Sequence, residues 1–169
     1  VFVRVLVISP VFGGAFPIAE SSVRALSALG HEAILVDLRS FQARYHQLRS
    51  ESSTDEEAGS FFYREVQGEL ERLVALHRPD LFFSMALVPL REQFLQALRG
   101  QGIITASWFV EDCERFPMWR WQAGWFDYFF IIQKEPFLQQ VKDAGARAAA
   151  YLPNAGDSQL TRMTNLTDQ

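Results

Sequence analysis

Two adjacent carboxylates, Glu111 and Asp112, stand directly behind the apolar run Ala106-Ser107-Trp108-Phe109-Val110. A carboxylate at the mouth of so apolar a segment loses part of its hydration. That raises its pKa and suits it to take a proton from a hydroxyl, as a general base does. Asp112 has a competing structural use, because an aspartate just ahead of Cys113 caps a helix start by accepting backbone N–H groups. The pair Gly13-Gly14, between Phe12 and Phe16, is the second candidate. Glycines let backbone approach a ligand closely, and the N-terminus of the helix behind them attracts anions. Neither Gly-x-Gly-x-x-Gly nor Gly-x-x-x-x-Gly-Lys-Ser/Thr is present, which argues against a dinucleotide or P-loop cradle. A loop shaping a sugar or nucleotide cleft and a plain tight turn both remain open for Gly13-Gly14.

All four tryptophans fall between Trp108 and Trp125. Large flat rings suit stacking on sugars or on a lipid-like acceptor, and Arg115 and Arg120 among them suit phosphate. The same segment reads equally as a core cluster along one sheet edge, or as an interface through which the chain forms a homodimer. Cys113 lies beside the carboxylates, which raise its pKa and make it a poor nucleophile. His31, His46 and His77 are dispersed without metal-ligand spacing, so no metal site is expected.

The elements that must position these groups alternate in type. Apolar, β-branched runs at Val3–Pro10, His31–Leu38, Leu81–Leu87, Ile103–Val110, Phe126–Gln133 and Ala148–Leu152 read as six strands. Helical spacing recurs from Ile18 to Gly30, from Phe62 to His77, from Leu90 to Leu98 and over Pro136–Ala144. Phe41–Leu48 is ambiguous and suits a short helix. The polar, acidic stretch Ser50–Ser60 is expected to be a mobile surface loop. This alternation predicts one Rossmann-like α/β domain, a doubly wound, mostly parallel sheet of six strands with helices on both faces. In such sheets ligands lie off the carboxyl ends of the strands. The candidate loops are therefore Phe12–Pro17, the chain from Asp37, Met85–Pro89, Glu111–Phe116 and Gln133–Pro136.

Composition narrows the classes. At 169 residues the chain has the length of one domain, and its net charge of −4 offers no basic footprint for nucleic acid. Apolar residues make up 49%, with 15 phenylalanines, which suits either a bulky core or an apolar face awaiting a partner. No apolar stretch reaches the ~20 residues needed to span a bilayer. The lone cysteine rules out an internal disulfide and suits a reducing compartment, so a cytoplasmic location is expected. The start at Val1 and the turn-rich Tyr151-Leu152-Pro153-Asn154-Ala155-Gly156-Asp157 suggest a piece of a longer protein, with residues 1–157 as the domain and 158–169 as a tail toward a second one.

The order of Arg-Val-Leu-Val-Ile-Ser-Pro with its Gly-Gly loop, Pro-Asp-Leu-Phe-Phe-Ser-Met-Ala-Leu, Ser-Trp-Phe-Val-Glu-Asp, Phe-Phe-Ile-Ile-Gln-Lys and Tyr-Leu-Pro-Asn-Ala-Gly-Asp resembles the N-terminal half of GT-B glycosyltransferases. Within that class it is most similar to the spore-maturation-type (CgeB-like) branch, with likeness to family 4-like enzymes. The resemblance covers nearly the whole chain up to Asp157 and rests on the order of segments rather than on one diagnostic motif. It implies an acceptor-side domain, inactive alone, whose sugar-nucleotide donor is held mainly by an absent C-terminal domain; no cofactor is bound by this half. Carried over residue by residue, it gives Glu111 and Asp112 catalytic roles. Asp112 matches the second member of a His-Asp pair, and Glu111 stands where the family has His. It places Gly13 and Gly14 near donor phosphates and Pro153–Asp157, with Asn154, at the interdomain hinge. Phe16 beside the glycines and Arg115 beside the carboxylates are the further substrate-binding candidates, by position and residue type. The partners implied are the C-terminal domain and a small-molecule acceptor. A non-catalytic Rossmann-type domain that binds a small ligand or a protein is the alternative.

Overall fold

A computed structural model describes residues 1–157, and the expected tail 158–169 lies outside the described residues. Six strands form one sheet in the order β2-β1-β3-β4-β5-β6, and every pairing is parallel. They are β1 Arg4–Ile8, β2 Glu32–Val36, β3 Leu81–Met85, β4 Ile104–Phe109, β5 Tyr128–Ile131 and β6 Ala149–Tyr151. Six α-helices connect and flank them: α1 Phe16–Ala28, α2 Phe41–Glu51, α3 Asp55–His77, α4 Glu92–Gly100, α5 Trp119–Gln122 and α6 Phe137–Asp143. The expected Rossmann-like α/β architecture is the one observed, and the sheet is wholly rather than mostly parallel.

The direction of each crossover fixes where the helices go. Only the step from β1 to β2 runs one way along the sheet; every later step runs the other way. Right-handed connections therefore place α1 on one face and α3 to α6 on the opposite face. Side-chain burial follows this asymmetry. Leu6, Ile8, Phe82, Phe109, Phe129 and Ile131 share the many-helix face in register and are all 0–1% exposed. Their alternates Ile104 and Tyr128 lie on the α1 face and keep 47% and 46% of their surface. Burying that first set supplies the main hydrophobic drive for the sheet, at roughly 25 cal/mol per Å² of apolar area.

The acidic stretch expected as a loop is a helix start. Thr54 is the N-cap of α3: its hydroxyl oxygen accepts from Glu57 N at 3.1 Å, while Glu57 Oε2 accepts from Ser53 N at 2.9 Å. The reciprocal pair is a capping box shifted by one residue, and Asp55, Glu56 and Glu57 face the positive end of the helix. Ala58, Phe62, Val66, Leu70 and Val74 then form the buried stripe of a 23-residue helix, well beyond the four turns expected from Phe62. Phe41–Leu48 is helical and extends to Glu51. All strands are shorter than their apolar runs, because the flanking apolar residues pack in the loops: Ile103, Val110 and Phe126 are buried without a ladder partner.

Candidate functional site

In the order β2-β1-β3, the chain leaves β1 in one direction and β3 in the other. The crevice of such a sheet lies outside the carboxyl ends of those two strands. Of the five candidate loops, topology therefore favours Ser9–Ala15 after β1 and Ala86–Arg91 after β3, with the turn after β4 beside them. The three turns meet. A Cβ at Gly13 would lie 3.6 Å from Leu87 Cδ1 and 3.8 Å from Glu111 Oε1. Gly13 has φ +99°, a conformation that side-chain-bearing residues rarely adopt, and Leu87 is a leucine at φ +63°. Gly14 has open space around it and no such backbone demand. The pair thus splits: Gly13 is required by the turn, and Gly14 is not.

The two carboxylates also split. Asp112 is exposed and caps its own turn, its Oδ1 accepting from Glu114 N at 2.7 Å and Arg115 N at 3.1 Å. The backbone N–H groups of Arg115 and Glu114 hold its carboxyl below the ordinary range. Asp112 does accept backbone N–H groups as weighed from sequence, but at a turn: the next helix, α5, begins only at Trp119. Glu111 is half-buried, and desolvation pushes its carboxyl above the usual value against the opposing pull of the Arg115 charge. Adjacent in sequence, these acids are driven in opposite directions. Gln133, at the end of the neighbouring β5 segment, fixes this turn by accepting from Cys113 N at 3.2 Å. The Cys113 thiol is pushed up to about 11, by burial first and by the Asp112 charge second.

Of the remaining expected residues, Arg115 stands beside Glu111 and Asp112, its guanidinium 5.4 Å from the centre of the Phe116 ring. Phe16 is engaged elsewhere. Arg39 lies over its ring at 3.2 Å, and Arg39 is itself held by a two-pronged ion pair to Asp37 after β2. Asn154 is exposed on the segment that follows β6. That segment turns back across the sheet: Trp108 Nε1 donates to Leu152 O at 2.9 Å, and Asp157 accepts from Ser21 and Arg24 of α1. The structure brings Gly13, Glu111 and Arg115 to one rim and leaves Phe16 committed to Arg39. Leu87 was missed from sequence, and no local signal marks it, since leucine has no preference for positive φ. Arg39 was equally silent.

The described residues thus define a Rossmann-like α/β fold with a candidate site at the rim beside its topological switch point, and none of its described helices is long and apolar enough to cross a membrane. No protein-family model matches the chain, and no curated protein matches it significantly.

Proposed function

We propose that this domain is the acceptor-side half of a sugar-nucleotide-dependent glycosyltransferase, with Glu111 as its general base. The observation that carries this reading is a desolvated carboxylate 3.8 Å from the position of a Gly13 Cβ, at the switch point of a parallel sheet. Glu111 would accept the proton that an acceptor hydroxyl releases as its oxygen bonds to the donor sugar, while the bond from that sugar to the nucleotide diphosphate breaks. A carboxyl raised by burial is a stronger base than an exposed one, which suits this step. Arg115 would oppose the negative charge gathering at the rim, and the bare Gly13 backbone would leave room for the reacting groups. Asp112 serves this reading indirectly, by holding the turn that presents Glu111. The donor would be bound by a second domain outside the described residues.

In the protein with that second domain, Glu111→Gln should lower sugar transfer by about a hundredfold or more. Asp112→Asn keeps the carbonyl oxygen that caps the turn and should leave transfer near wild type. Wild-type rates in Glu111→Gln would refute the assignment. A non-catalytic small-ligand-binding domain is the second reading, favoured by the commitment of Asp112 to its turn. Saturable ligand binding without sugar transfer would select it.

A further inference from the structure

An open groove of ≈ 470 Å³ lies between the first turns of α3 and α4 and the α5 turn, lined by Tyr63, Trp121 and Trp125. Both helices begin at the carboxyl rim of the sheet, so the groove opens on that rim. Its size lies within the ~300–1,000 Å³ typical of small-molecule sites. Trp121 is the unexplained wall. Two residues earlier Trp119 is 1% exposed and its indole N–H donates to Cys113 O at 2.9 Å, which anchors α5 to the core. Trp121 contributes nothing comparable to the fold and keeps 56% of its surface.

The chemistry of the lining separates ligand classes. Arg91 sits over the Tyr63 ring at 5.8 Å and donates to Ser60 O at 3.3 Å, so a cation already occupies that aromatic face and would repel a second. Glu56 and Glu92, in the first turns of α3 and α4, offset the positive helix ends and disfavour an anion. Gln93 and Gln122 carry amides that both donate and accept, as sugar hydroxyls do. We propose that this groove is a docking site for a neutral carbohydrate, one or two pyranose rings, whose apolar face stacks on Trp121 with Trp125 closing the side. The proposal does not depend on the role of Glu111.

The test is titration of the 169-residue chain with methyl glucoside, methyl mannoside, maltose and cellobiose. Tryptophan fluorescence and amide chemical shifts are the readouts, and choline and inorganic phosphate are the contrasting probes. Saturable millimolar binding of at least one sugar is expected, centred on Trp121, Gln93 and Gln122. Trp121→Ala should weaken it about tenfold with little change in melting temperature, because the indole is largely solvated. Glu111→Gln should keep the sugar affinity, which separates this site from the proposed reacting centre. Absence of saturation with all four sugars, saturation by choline or phosphate instead, or an unchanged affinity in Trp121→Ala would overturn the proposal.

Discussion

Replacing Gly13 and Gly14 separately by alanine tests whether the rim turn is built on backbone conformation. At Gly13 the added methyl would meet Leu87 Cδ1 at 3.6 Å and Glu111 Oε1 at 3.8 Å, ordinary contacts that cost nothing sterically. The penalty is the φ of +99°, which for a residue with a side chain costs about 1–3 kcal/mol. Stiffening the unfolded chain returns roughly 0.4–1 kcal/mol, so a net loss between zero and about 2.6 kcal/mol remains. At Gly14 nothing lies within 4 Å and the positive φ is absent, so only the gain of roughly 0.4–1 kcal/mol applies. A domain of this size shifts by ~2–4 °C per kcal/mol. Gly13→Ala should therefore melt up to ~10 °C lower than wild type, and Gly14→Ala about 1–4 °C higher. Urea unfolding followed by far-ultraviolet circular dichroism measures both free energies, and unchanged m-values would show that each variant exposes the same surface on unfolding. Equal melting of the two variants would refute the reasoning.

Two further perturbations probe electrostatics and capping. Burial holds the Glu111 carboxyl above its ordinary 4.5, so the folded state keeps a proton that the unfolded chain has already released. Stability then falls as pH rises from 4.5 through the folded value. Glutamine is neutral throughout, so Glu111→Gln should be more stable than wild type at pH 7, with the advantage vanishing below about pH 4.5. Melting curves across pH 3–8 measure it, and a destabilised variant at pH 7 would show that the carboxylate is not held at a cost. Thr54→Ala removes the acceptor for Glu57 N and should lower stability by about 1 kcal/mol in urea, with faster amide exchange confined to the first turns of α3. An unchanged midpoint would mean that α3 does not need its cap.

Alternation of apolar runs with helical spacing was enough to read six strands and the α/β class, because a parallel sheet buried on both faces writes near-continuous apolar segments. The order of those strands was not legible. Nothing local in Val3–Pro10 or Leu81–Leu87 says that they become neighbours with the switch point between them. Residue type alone therefore ranks the rim loops, with Glu111-Asp112 foremost, and only the topology says which of them meet. The Ser50–Ser60 stretch shows the opposite failure. Thr54-x-x-Glu57 is a start signal, yet the surrounding acids made the segment look like solvated loop, although acids in a first turn favour a helix. The apolar run before Glu111 and Asp112 announces a desolvated carboxylate but not which of the two it is. The divergence of Asp112 was also available, since an aspartate two and three residues ahead of free backbone N–H groups is a turn cap. The aromatic-lined groove was beyond reach, being assembled from three segments far apart in sequence.

Several unusual features coincide at the rim. Leu87 adopts φ +63° without glycine's freedom, Glu111 is charged where burial disfavours charge, and the turn between them needs a glycine at φ +99°. The Leu87 conformation costs roughly 1–3 kcal/mol and burial disfavours the charged Glu111, whereas Gly13 adopts its φ without that penalty. Away from the rim, Thr54 caps the start of α3, the stripe of α3 is apolar at every fourth residue, and Leu6, Ile8, Phe82, Phe109, Phe129 and Ile131 are buried. Arg78 at the end of α3 is a second non-glycine residue at positive φ, +47°. The rim differs from the end of α3 in pairing a positive-φ leucine with a desolvated carboxylate, which fits the role proposed for Glu111. Asp112 sharpens the point. It lies one residue from Glu111 and is fully reconciled with its surroundings through two backbone N–H groups, so the unrelieved state of Glu111 is not a general property of that turn. The Glu111→Gln stability profile addresses this directly, because a residue retained for packing would lose stability on substitution and one retained for chemistry would gain it.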